Sequence, residues 1–216
     1  MKLRIGVAAC VMMVVGCSKA PEKDVDLGAL PPPPAITEQQ RQLALERGRA
    51  IAQETFDLLR TNLQVAIQSG GISNALPYCS LAASPLTAGM AAKHGVTLRR
   101  VTHKARGPGG RADTNELSVL RAFEAALAAH GPTPPPSPIV TNGSPGNVTF
   151  FAPILIGNEL CLRCHGEPGS EIQAADLAVI QRLYPDDKAV GFKMGQLRGA
   201  WRIDFPGSSL PIGTPK

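Results

Sequence analysis

Residues 159–169 read ELCLRCHGEPG and place Cys161, Cys164 and His165 together. Three chemistries are open to such a cluster: a metal ion held by thiolates and imidazole, a dithiol that cycles with a disulfide, or a group bonded covalently through sulfur. A structural zinc site needs four ligands in tetrahedral array, and the chain has no second cysteine pair to complete one. A redox dithiol belongs at a helix start early in a βαβ unit, where the dipole lowers a thiol pKa. This pair instead falls near the C-terminal end, after a strand with no parallel crossover. Covalent haem suits the spacing. Cysteines at i and i+3 lie on one side of a helical turn, so both sulfurs reach the vinyl groups of one porphyrin while the next residue turns its imidazole to the iron. The expectation is one haem c, with thioethers from Cys161 and Cys164 and with His165 as proximal ligand. For the opposite face of the iron the sequence offers Met90, Met194, His94, His103, His130 and Cys79. Taken alone, Cys79 between Tyr78 and Ser80 reads as a small buried core residue.

Covalent haem attachment takes place outside the cytoplasm, and the N-terminus points there. Lys2 and Arg4 precede an apolar run from Ile5 to Val15 that is too short for a finished membrane span. The following "VVGCSKAPE" resembles the lipobox of bacterial lipoproteins, in which residues 1–16 are removed and Cys17 is acylated. The chain is therefore expected in the periplasm, anchored to a membrane through lipid on Cys17; Ser18, in place of a retaining aspartate, favours the outer membrane. Removal of the signal takes Lys2 and Arg4 and no acid, leaving 20 basic against 17 acidic residues, a net charge of +3. Scattered basic residues and an aromatic content of 4% argue against nucleic-acid binding. With Cys10 cleaved off and Cys17 lipidated, Cys79, Cys161 and Cys164 remain, an odd number that a pure disulfide scaffold would strand.

The elements that must position this cluster follow from periodicity and punctuation. Residues 17–36 are a proline-rich tether. Thr37 and Gln40 form a capping-box pattern that opens a long helix running to "SGG" at 69–71. Ser73 caps a shorter helix through Cys79, Ser84 and Pro85 restart another, and Gly95 ends it. "VTLRRVTH" at 96–103 alternates as a strand, "KARGPGGRADT" is a loop, and Thr114 begins a helix that Gly131 stops. "PTPPPSP" is a stiff connector. Residues 148–156 form a strand whose far end Pro153 demotes to an edge or a bulge. A helix over 171–183, a strand over 199–205 and a loose tail over 206–216 complete an α+β domain on a small antiparallel sheet.

The tracts "LPYCSLAASP", "FFAPILIGNELCLRCHG" and "LYPDDKAVGFKMGQLRGAWRIDF", with the lipobox, resemble a family of exported single-haem c-type proteins with a PAS-like fold. The family was first described from cyanobacteria and also serves as the sensor part of signalling proteins. The resemblance spans about residues 40–205 and implies a domain over 37–205 with a PAS-like sheet flanked by helices and a long N-terminal helix. It also implies that the iron is held by His165 and by Cys79. Two departures stand out: Gly107 where the family favours asparagine, and the apparent insertion at 132–138. A cysteine thiolate donates electron density and favours ferric iron, so the resemblance implies a redox-responsive sensor or one-electron transfer protein with an unidentified redox or signalling partner. An ordinary electron carrier with methionine ligation is the alternative. A peroxidase-type enzyme would need an acid or base at an open distal site; His103, on a strand beside arginines, reads as a surface residue, so no catalytic residue is assigned and no enzyme is expected. Arg99, Arg106, Lys193 and Arg198 are candidate partners of the haem propionates, but each taken singly reads as part of a solvated face, and none is assigned as a site.

Overall fold

The computed structural model describes residues 36–133, 135–142 and 147–210. Cys17, the expected signal segment and nearly all of the tether lie outside the described residues. The first helical run, α1, spans Glu38–His94 and opens on the expected capping box: Thr37 Oγ1 accepts from Gln40 N at 3.2 Å, and Gln40 Oε1 accepts from Thr37 N at 3.0 Å. It breaks at Gly70 and Gly71, where the backbone leaves helical geometry and Gly71 takes a φ of 75°. Glycine reaches that region without the steric penalty of a Cβ.

The break makes α1 an antiparallel pair of limbs. Asn74 Nδ2 donates to Ala66 O at 3.0 Å, and Tyr78 Oη donates to Asn62 Oδ1 at 3.0 Å. Farther from the bend, Lys93 and His94 both pair with Glu54. The second limb, residues 72–94, continues through Pro77 and Pro85 rather than restarting at Ser84. Ser73 does not cap it; its hydroxyl donates to Asp176 Oδ1 at 2.5 Å. Gly95, in the left-handed region, ends the limb as expected.

The sheet contains β1 (Thr97–Val101), β2 (Ile139–Asn142), β3 (Asn147–Leu155) and β4 (Leu197–Pro206), all antiparallel in the order β1-β4-β3-β2. Strand β2, which follows the proline-rich connector, has no counterpart in the sequence reading. Pro153 is accommodated because β2 pairs with β3 only as far as Phe151, which leaves the next residues an edge on that side. A register shift follows between Ile154 and Leu155.

Alternation sends the two sheet faces to different partners. Leu98, Phe150, Trp201, Ile203 and Phe205 pack against the first limb of α1 through Ala44, Ile51 and Ala52. Gly48 permits this approach, since a Cβ there would meet the Phe150 ring at 2.4 Å. The opposite face, with Val101, Phe151, Leu197 and Ala200, packs on Leu120 and Phe123 of α2 (Thr114–His130). The fold is thus α+β, as expected. Residues 207–210 correct the expectation of a loose tail: a short 3-10 turn leads to Leu210, which is fully buried in the first core.

Candidate functional site

The sequence cluster lies on α3 (Glu159–His165), a helix of two turns followed by α4 (Ala174–Leu183). Asn158 caps α3 by accepting from Cys161 N at 3.3 Å. That cap starts the helix two residues before Cys161, so Cys161 and Cys164 are one turn apart and His165 directly follows. Cys79, Cys161 and Cys164 are all free thiols. Among the described residues no three His, Cys, Asp or Glu side chains converge to hold a bare metal ion. The turn presents its donors side by side, which suits a wide planar group.

His165 is held by one ring nitrogen. Its Nδ1 lies 2.8 Å from Ala189 O, an acceptor, so Nδ1 carries the proton and Nε2 keeps its lone pair. Burial holds the imidazole well below its ordinary pKa, and repulsion from Arg198 and Arg106 adds to this. The ring is therefore neutral at neutral pH, the form that ligates iron. Phe192 meets its edge at a centroid distance of 6.2 Å.

Ala189 O is itself positioned by a buried ion pair. Asp187 Oδ1 accepts from Ala189 N at 2.8 Å and from Arg106 Nε at 3.3 Å, and Asp187 Oδ2 lies 3.1 Å from Arg106 Nη2. Arg106 Nη2 donates to Cys164 O and, at 3.2 Å, to Ala189 O. One guanidinium thus ties the end of α3 to the segment that orients His165. Gly107, the departure in this loop, leaves room: a Cβ there would rest 3.7 Å from the Tyr184 ring.

Cys79, on the second limb of α1, interacts electrostatically with Cys164, and also with Arg100 and Arg106, both of which act on His165 as well. Burial raises the Cys79 thiol, with the two arginines opposing it, and pushes the Cys164 thiol up to about 11. The other candidates for the second position have different surroundings. Met90 is buried in the core against the first limb, and Met194 is half exposed. His94 pairs with Glu54, His103 lies 3.6 Å from Glu124, and His130 sits exposed in the last turn of α2.

The four candidate partners of carboxylates separate in the same way. Arg99 pairs with the buried Glu116, and Lys193 is exposed. Arg106 is committed to Asp187. Arg198 Nη1 donates to Thr102 Oγ1 at 3.1 Å and Lys104 O at 3.2 Å, while its buried Nε has no hydrogen-bond partner. Burial pushes its guanidinium down to about 9, with Arg100 and Arg106 adding repulsion. The sequence reading missed Arg100, Asn158, Asp187 and Ala189. Only Arg100 had a signal, since adjacent arginines on a strand must face opposite ways.

The donor set therefore fits a covalently bound haem: two free thiols one turn apart, a neutral imidazole with one nitrogen committed, and a third thiol beside them. Comparisons with known proteins bear on the same residues. The profile of a family described as Tll0287-like matches residues 37–206, most of the chain. The crystal structure of the cyanobacterial heme-protein Tll0287 is similar in fold, with a TM-score of 0.53 and 23% identity over 74% of this chain and 94% of that one. No curated protein matches.

Proposed function

The chain belongs to the Tll0287-like family, and from that premise we propose that it is an exported lipoprotein carrying one haem c, which acts as a redox-responsive sensor or one-electron transfer protein. The observation that carries this reading is the single turn of α3, which offers Cys161 and Cys164 for thioether bonds and His165 for the iron, with Nδ1 of that ring already bound to Ala189 O. The solved relative is titled a heme-protein, which supports the same cofactor here.

When bound, the haem would supply reversible one-electron exchange. Everything else falls to the chain. Ala189 and the Asp187–Arg106 pair orient His165. Cys79 is offered as the second iron ligand, because it acts directly on Cys164, whereas Met90 lies in the core against the first limb and His103 comes near only through Phe192, at 6.4 Å. A thiolate there would favour the ferric state and lower the potential relative to methionine. Its thiol is raised by burial, so Cys79 would readily hold a proton once the charge favouring its ionised form is reduced. The second limb that carries it bends at Gly70–Gly71, a place able to take up movement. No catalytic residue is proposed; membrane attachment through Cys17, periplasmic location and a redox or signalling partner remain part of the proposal.

The test is low-temperature electron spin resonance on matured protein. Wild type is expected to show a low-spin thiolate signature that Cys79→Ser abolishes, while Cys161→Ala and Cys164→Ala each leave one thioether and shift the reduced α band to the red, and the double variant loses the haem from the polypeptide mass. A colourless wild-type protein of bare polypeptide mass would end the haem reading. A thiolate signature that survives Cys79→Ser would remove that residue from the iron.

A further inference from the structure

On β1, Arg100 occupies an inward position. It pairs in register with Trp201 and lies on the same side as Leu98, while across on β4 that face carries Trp201, Ile203 and Phe205, all buried and apolar. Its guanidinium carbon is 5.9 Å from the Trp201 ring centre. The side chain is exposed by accessible area, yet protein surrounds it closely enough for burial to lower its pKa, as happens to a group lining an open recess. That recess is shared with Cys79, Arg106 and Tyr184.

Charge in the recess is unbalanced. Arg106 has Asp187, and Arg198 has a hydroxyl and a carbonyl for one of its nitrogens. Arg100 has no carboxylate, carbonyl or hydroxyl partner among the described residues, and the Tyr184 hydroxyl has none either. Around His165, three guanidiniums face one carboxylate, Asp187. An exposed guanidinium is solvated and remains available to an anion that enters the recess. A planar guanidinium takes a carboxylate through two parallel hydrogen bonds.

We propose that Arg100 is a carboxylate-binding site in the recess shared by Cys79 and His165, and that the carboxylate it takes is a propionate of the haem. This rests on the haem reading above and adds an anchor outside the four basic residues that the sequence reading weighed. Arg100 would then hold that propionate in its ionised form through two parallel hydrogen bonds.

The experiment compares matured wild type with Arg100→Leu and Arg100→Lys. Resonance Raman spectra are expected to show a shifted propionate-bending band in Arg100→Leu. The reduction potential of that variant is expected to fall and to gain a pH-dependent step from the freed carboxyl group. Arg100→Lys keeps the charge without the fork and is expected to restore the potential but not the band. If Arg100→Leu does not mature, Arg100→Lys alone decides, since an unshifted band in it overturns the proposal. An unchanged band and an unchanged potential–pH curve in loaded Arg100→Leu also overturn it. Succinate is the probe for a free carboxylate: a saturable spectral change that needs Arg100 would assign the recess to a diffusible ligand and overturn the assignment to haem. Loss of haem from wild type would instead strike the reading on which this rests.

Discussion

Asp187→Ala tests whether the clamp behind His165 is a buried ion pair or a surface decoration. The side chains of Arg106 and Asp187 are 14% and 7% exposed, and the carboxylate also accepts the Ala189 amide at 2.8 Å. Removing it strands the Arg106 cation in a recess already crowded by Arg100 and Arg198. Breaking one partner of a buried pair costs about 3–5 kcal/mol, against about 0–1 kcal/mol for an exposed one. With a urea dependence of about 2 kcal/mol per molar, the unfolding midpoint should drop by roughly 1.5–2.5 M. The assay is equilibrium urea unfolding of matured wild type, Asp187→Ala, Arg106→Ala and the double variant. The two single changes should be non-additive by about 1–3 kcal/mol, because each leaves the other charge unpaired. The same variant should loosen the Ala189 carbonyl and, if the proposed haem is bound through His165, broaden its iron–imidazole signal. A midpoint loss worth less than about 1 kcal/mol, or strict additivity, refutes the reasoning.

Three further outcomes are expected. Gly71→Ala should lower stability by about 1–3 kcal/mol in thermal unfolding, since its Cβ would meet nothing within 4 Å and the cost is its backbone alone, whose φ of 75° and ψ of −171° lie in a region essentially reserved for glycine. Glu116→Ala should cost about 3–5 kcal/mol in denaturant titration, because this buried carboxylate receives Arg99, Arg202 Nη1 at 2.7 Å and the Asp113 amide at 2.8 Å. Hydrogen bonds from Lys93 and then His94 lower the Glu54 pKa. Its contribution is therefore present above the ordinary carboxylate range and lost as pH falls through the folded value. The stability gap between wild type and Glu54→Gln should close on acidification, and a gap independent of pH would contradict this pairing.

Local signals were legible wherever chemistry is local. The Thr37–Gln40 box, the glycine stop at Gly95, the alternation of residues 97–101 and the spacing of Cys161, Cys164 and His165 each depend on neighbours within a few residues. Where expectation and structure part, a distant contact decides. Ser73 has the chemistry of a cap, but Asp176 takes its hydroxyl. Pro85 would start a helix in isolation, yet the second limb is held along its length by the first and runs through it. Residues 139–142 carry too little pattern to declare a strand, and they become one because β3 has an open edge there.

The sequence alone placed two thiols and an imidazole within one helical turn, because their spacing is a covalent property of the chain, and the proposed haem attachment starts from that spacing. It also determined where the first helical run begins and bends, since capping and positive φ are properties of single residues. Tertiary structure decided what stands around that turn. Ala189 O, the Asp187–Arg106 pair, Cys79 and Arg100 come from segments separated by tens of residues, and only the folding of the second limb and β1 onto one recess brings them together. Side chains far apart in the chain acquire a common electrostatic environment through packing, which no local spacing encodes.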